Sequence, residues 1–256
     1  MILAWLCFFD GLVAVAVMAA GVIGAHFGHA APSVGFQLFI IGLLNAAISL
    51  LLGLIAVPLS ILSPSRKPAR VPAIIGAALS LVLLAGVASV VVPRLKYPPI
   101  NDITTDTAQP PAFVHATQLP GNRGHDLSYS PVSRQVQEHS PVYATLAPLT
   151  LPGPPAQVFK RVEIVAGEIP SWQILYNDPA TYTLEGVATS TVFRFKDDFV
   201  IQVRPGDNGN SVVEMRSRSR ETPADLGSNY ERIESFFYDL QHPPHPAPPG
   251  TPQAQP

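Results

Sequence analysis

Three apolar runs, 2–25, 36–62 and 71–93, occupy the first 93 residues and constrain the chain more than any other feature. Each reaches the roughly 20 residues that a helix needs to cross a bilayer core of about 30 Å. A cleaved signal peptide would account only for the first run, and that run lacks the basic segment such a peptide begins with. The composition agrees: at 47% hydrophobic and 13% charged residues, the chain is too apolar for an ordinary soluble domain. Residues 1–93 therefore read as a three-helix membrane module, with the lipid bilayer as its first partner. Gly21, Gly24, Gly42 and Gly53 supply small residues for close helix approach. Asp10 and Asn45 are the polar exceptions; a carboxylate inside a span is a functional candidate, and one near an interface is not.

The charges give a direction. The second connection, Ser63–Arg70, carries Arg66, Lys67 and Arg70, whereas the first, His26–Gln37, carries no lysine or arginine. The positive-inside rule puts the second connection and the N-terminus in the cytoplasm and everything after Val92 on the opposite side. In a bacterium this means the inner membrane and a periplasmic domain. Arg94 and Lys96 oppose this assignment, two against three. Residues 1–96 carry five basic groups against Asp10, a net +4, and residues 97–256 carry the remaining eleven basic and seventeen acidic groups, a net −6. A mildly acidic soluble part does not suit nucleic acid, which needs a basic footprint. The single cysteine, Cys7, allows no intramolecular disulfide and no cysteine-based zinc site. His26 and His29 have an i,i+3 spacing that could present two metal ligands. They lack a nearby third ligand, so they read as loop histidines and no metal site is expected.

Residues 94–113 form an extended juncture, because Pro98-Pro99 and Pro110-Pro111 bracket a polar stretch holding Asn101, Asp102 and Asp106. The soluble domain spans 114–240. Val132–His139 is a short helical segment, and Leu146–Leu151 reads as a strand. Pro154-Pro155 opens a helix whose Val158, Phe159, Val162 and Val165 make one stripe before Gly167. Strands are expected at 171–177, 182–195, 198–204 and 211–219, with turns at Asn177–Pro179, Lys196-Asp197 and Pro205–Gly209. A last amphipathic helix, Leu226–Leu240, carries Leu226, Tyr230, Ile233, Phe237 and Leu240 on one side.

The fold class is thus α+β: three transmembrane helices, then an antiparallel sheet of about five strands with two helices on one face. Period two places Trp172, Ile174, Tyr176, Val187, Phe193, Phe195, Phe199, Ile201, Val203, Val213 and Met215 toward the helices. The other face is left open and rich in arginine: Arg194, Arg204, Arg216, Arg218 and Arg220. Residues 241–256 hold seven prolines and His242 and His245, and read as a polyproline or disordered tail.

Three runs carry a resemblance. Pro99–Asp106 with Pro110–Phe113, Phe195–Arg204, and Arg216–Arg220 followed by Asp225–Asn229 and Arg232-Ile233 together resemble the bacterial and plastid family catalogued as domain of unknown function 1499. The likeness covers about residues 97–240 and departs at Tyr230, where a small residue is usual. It implies membrane spans ahead of the domain in bacterial members, and it carries no established reaction.

Three functions follow from the polar residues. In the first, Asn101, Asp102, Asp106, Asp197, Asp198, Asp225 and Asn229 form a structural network. The 101–106 segment crosses the open sheet face to pair with the arginines, Asp197-Asp198 makes a turn, and Asp225 and Asn229 start the last helix. The chain is then a membrane-anchored, non-enzymatic envelope module that meets an envelope protein. In the second, the arginine face binds an anion or an anionic lipid headgroup. In the third, the aspartates perform hydrolytic or metal chemistry. The sequence lacks Gly-Xaa-Ser-Xaa-Gly, His-Glu-Xaa-Xaa-His and a phosphate loop, so no catalytic residue and no cofactor is assigned, and the first reading is preferred.

Overall fold

A computed structural model of the chain describes residues 1–242. The apolar runs form α1 (Ile2–His26), α2 (Pro32–Leu62) and α3 (Arg70–Val91), each long and apolar enough to cross a membrane. Small side chains make their contacts. Cys7, Gly11, Ala14 and Gly21 on α1, Gly42, Ala46 and Gly53 on α2, and Ala73 and Gly76 on α3 are buried, while leucine, isoleucine and phenylalanine point outward. Apolar side chains gain little by leaving lipid, so close backbone approach is what holds such helices together. A Cβ on Gly76 would stand 2.5 Å from the Cys7 carbonyl oxygen. Gly24, also expected at a helix contact, is only partly buried. The Ser49 hydroxyl donates to the Cys7 carbonyl at 2.8 Å, and Arg70 donates to the Ser60 and Ile61 carbonyls at the end of α2.

The chain folds as two compact units. One is Met1–Tyr97 with Thr189–Lys196; the other is Pro98–Ala188 with the described residues from Asp197 to His242.

The second unit holds an antiparallel sheet of β1 (Asp102–Thr104), β2 (Leu149–Pro152), β3 (Trp172–Asp178), β4 (Thr183–Thr189), β5 (Lys196–Pro205) and β6 (Asn210–Ser219). The order is β1-β6-β5-β4-β3, and β2 also pairs with β6. The long β6 thus accepts two short strands end to end on one edge, with Asp102 opposite Arg218 and Leu149 opposite Val213.

Two helices, α5 (Pro155–Glu168) and α6 (Ser228–Gln241), cover one face. Trp172 stands 4.1 Å from Phe199 and 5.2 Å from Phe236, ring centre to ring centre. Phe199 passes so close to β4 that a Cβ on Gly186 would lie 2.5 Å from the ring. Phe236 is buried in this core beside Ile233, Phe237 and Leu240. Leu226, expected on the same stripe, precedes the helix in a left-handed conformation.

Several expectations need correction. The strand expected over 182–195 stops at Thr189, so Phe193 and Phe195 leave the sheet and pack in the first unit against Phe36 and Phe39 of α2. Val187 shares its strand face with Glu185, away from the helices. Lys196-Asp197-Asp198 is no turn; it opens β5. The 101–106 segment does not cross the sheet face but extends the sheet as β1, because its backbone finds the free edge of β6. The arginine-rich face is not open either. The chain from Thr105 to Tyr143, with α4 (Pro131–His139), places Phe113, Ala116 and Leu127 against Val200. Gln241 ends α6, and the expected proline-rich tail beyond His242 lies outside the described residues.

Candidate functional site

Alternation along β6 sends Val213, Met215 and Ser217 to the helices and Glu214, Arg216 and Arg218 to the opposite side. There the charges meet partners brought by other elements. Asp102 on β1 takes Arg216 in a two-pronged pair, Nε to Oδ1 at 2.9 Å and Nη2 to Oδ2 at 2.7 Å. Both side chains are almost wholly enclosed, Arg216 at 2% and Asp102 at 5% exposure. Arg216 also donates to the Leu127 carbonyl at 2.8 Å and the Pro111 carbonyl at 3.4 Å. Its guanidinium lies 4.8 Å from the centre of the Phe113 ring and 5.4 Å from that of Tyr129.

The remaining predicted arginines divide. Arg220, just past β6, pairs with Asp198, whose Oδ2 also accepts from Asn122 at 2.8 Å. Arg204 pairs with the buried Glu214, and its Nη2 lies 3.9 Å from Asp106. Arg218 donates to the Asp126 carbonyl at 2.6 Å and stands 4.0 Å from Asp102. Arg194 is not with them. It lies in the segment after β4, exposed, with φ 63°.

The predicted acidic and amide groups gather around the start of α6. Arg232 reaches back to Asp197 and to the Asn229 amide oxygen. Fully buried Asn229 accepts from the Ser217 hydroxyl at 2.7 Å and donates to the Asn101 carbonyl at 3.1 Å. Asn101 donates to the Thr222 carbonyl at 2.6 Å. Asp225 accepts from the Gly227 and Asn229 amides, both at 2.9 Å. Burial pushes its carboxyl above the ordinary range, against the pull of those amides. Asp106 instead closes a local turn, accepting from Ala108 at 2.8 Å and Gln109 at 2.9 Å.

Sequence reasoning missed Glu185, Asn122 and Gln137. Glu185, 1% exposed on β4, accepts from three successive amides: Val114 at 2.7 Å, His115 at 3.0 Å and Ala116 at 2.8 Å. Gln137 of α4 bonds both sides of Thr104, accepting from its amide at 3.1 Å and donating to its carbonyl at 2.5 Å. A carboxylate inside an otherwise uncharged strand was the available signal for Glu185. Its partners, far away in the chain, leave no such trace.

Over Arg216 opens a pocket of about 380 Å3 lined by Phe113, His125, Asp126, Leu127 and Tyr129. Hydrogen bonds from the Ser128 amide and hydroxyl hold the Asp126 carboxyl below its usual value. Burial, with the Asp102 charge, pushes the Tyr129 phenol up. No group of three or more His, Cys, Asp or Glu with metal-binding geometry occurs among the described residues.

No curated protein matches the chain. A solved structure described as "Crystal structure of Ara h 8.0201" is 17% identical, covers 37% of this chain and 92% of that one, and has a TM-score of 0.28, too slight a likeness for any conclusion. A family model described as "Protein of unknown function (DUF1499)" matches residues 102–240, more than half of the chain, and takes in the polar network from Asp102 to Arg232, Asn101 lying just before it. The chain belongs to the DUF1499 family of proteins of unknown function.

Proposed function

We propose that this chain is a membrane-anchored protein of a bacterial envelope whose DUF1499 domain acts as an interaction module, not an enzyme. The observation that carries this reading is the commitment of its buried charges. Asp102, Asp197, Asp198 and Glu214 each face an arginine, and Glu185 is taken up by three amides. A general acid or base needs a proton-accepting position free for substrate. Carboxylates held this way give the fold geometric register. The loop carrying Arg66, Lys67 and Arg70 favours a cytoplasmic N-terminus and a periplasmic domain in the inner membrane.

The pocket over Arg216 favours a second reading. A pocket lined by the Phe113 and Tyr129 rings and His125, beside the Arg216 guanidinium, suits a small planar anion.

Native mass spectrometry of the full-length protein released from its own membrane separates the two. The interaction reading expects a second protein mass at fixed stoichiometry, retained when His125 is changed to Ala. A monomer carrying one small anion that His125→Ala releases would overturn it in favour of the second reading.

A further inference from the structure

The segment from the last residue of β4 to the first of β5, Thr189–Lys196, belongs with the apolar helices rather than with the sheet that bears it. Phe193 packs edge-on against Phe36, ring centres 5.3 Å apart, and against Phe39 at 5.4 Å; Phe195 lies 5.8 Å from Phe36. His26, at the end of α1, donates through Nδ1 to the Thr191 carbonyl at 3.0 Å. The Ser190 hydroxyl accepts from the Phe195 amide and the Ser190 amide donates to the Phe195 carbonyl, both at 2.8 Å, closing the segment into a finger.

The depth of this finger follows from α2. Its 31 residues make a rod of about 46 Å, against a hydrocarbon core of about 30 Å. Roughly five residues at each end then stand outside the core. Phe36 is the fifth residue of α2 and Phe39 is one turn deeper, so the finger rides at the boundary between acyl chains and headgroups. Its outward groups suit that level. Val192 is 49% exposed. Arg194 is exposed, stands at φ 63°, and makes no hydrogen bond or ion pair among the described residues. A side chain held in the left-handed region, with no internal partner in return, points to a partner outside the protein. Phe27, 68% exposed, lies next to His26 on the same end of the helices.

We propose that Thr189–Lys196 is a membrane-interface finger: Phe193 and Phe195 dock it on α2, Val192 enters the outer acyl layer, and Arg194 binds the phosphate of an anionic phospholipid. This rests on the reading of α1–α3 as membrane spans. An arginine close to an apolar anchor can keep its head among the phosphates while its stem stays in the apolar layer.

The test uses the full chain in nanodiscs containing phosphatidylglycerol, with Cys7→Ser removing the native thiol. A nitrobenzoxadiazole probe is attached at Val192→Cys or, in a second sample, at Ile48→Cys near the middle of α2. Lipids carrying a spin-label quencher high or low on the acyl chain are compared. The finger predicts that the Val192 probe is quenched more by the shallow label, and the Ile48 probe more by the deep one. A quenched Ile48 probe beside an unquenched Val192 probe overturns the finger alone. Two unquenched probes overturn the membrane spans and the finger with them. For the phosphate, native mass spectrometry should show phosphatidylglycerol retention several-fold lower in Arg194→Gln and restored in Arg194→Lys. Equal retention in all three proteins would overturn that assignment.

Discussion

Replacing Asp102 by asparagine tests the network where it is most buried. Asparagine keeps the shape and one acceptor but removes the charge, leaving the Arg216 guanidinium, 2% exposed, without a counter-ion. Removing one partner of a buried pair costs about 3–5 kcal/mol. The bonds from Arg216 to the Leu127 and Pro111 carbonyls survive, as does one bond to the new amide oxygen, so the lower end, about 3 kcal/mol, is expected. Asp106→Asn is the control. Its partner Arg204 is 3.9 Å away with a side chain 41% exposed, and the turn bonds to Ala108 and Gln109 can pass to the amide oxygen, so about 0.5 kcal/mol is the ceiling. With Trp5→Phe, Trp172 becomes the sole tryptophan, and its contact with Phe199 reports on the domain core. In urea titrations of the full chain in detergent, a slope of about 2 kcal/mol per molar converts the cost to a midpoint roughly 1.5 M lower for Asp102→Asn. A midpoint within about 0.3 M of the parent, or one matched by Asp106→Asn, would refute the view that this pair holds β1 to β6.

Other perturbations probe neighbouring elements. Glu185→Gln weakens three charge-assisted bonds and should cost about 1.5–3 kcal/mol, with hydrogen exchange rising at the Val114, His115 and Ala116 amides ahead of the rest of the domain. Gly186→Ala places a methyl 2.5 Å from Phe199 and 2.6 Å from the Gln173 carbonyl; a loss of about 1–3 kcal/mol and a red shift of Trp172 emission should follow. The Thr181 hydroxyl and Ala180 amide hold the Asp178 carboxyl below its ordinary value. A lowered folded value stabilises above the unfolded value and loses that effect as pH falls through the folded one, so Asp178→Asn should flatten the acid limb of the stability profile below about pH 4. Replacing both Asp102 by Leu and Arg216 by Met should cost less than the two single changes together, as a double-mutant cycle would show.

Period and composition alone were enough for the three long apolar helices, the two covering helices and strands β5 and β6 with the first half of β3, because each shows its buried side as a local repeat: long apolar runs for α1 to α3, 3.6 for α5 and α6, two for the strands. The same alternation placed Arg216 and Glu214 away from the helices. Local pattern could not show what covers that second face. The cover is made of short turns around Phe113, Ala116 and Leu127, which have no repeat, and its anchor at Glu185 depends on amides distant in the chain. Asp102 likewise became a strand residue only because β6 is long enough to pair with β2 at one end and β1 at the other. Phe193 and Phe195 show the limit most plainly. Alternation counted them into the sheet core, but the strand ends at Thr189 and their rings pack on Phe36 and Phe39. Hydrophobicity specifies that a side chain leaves water, and only the tertiary structure decides which apolar surface receives it.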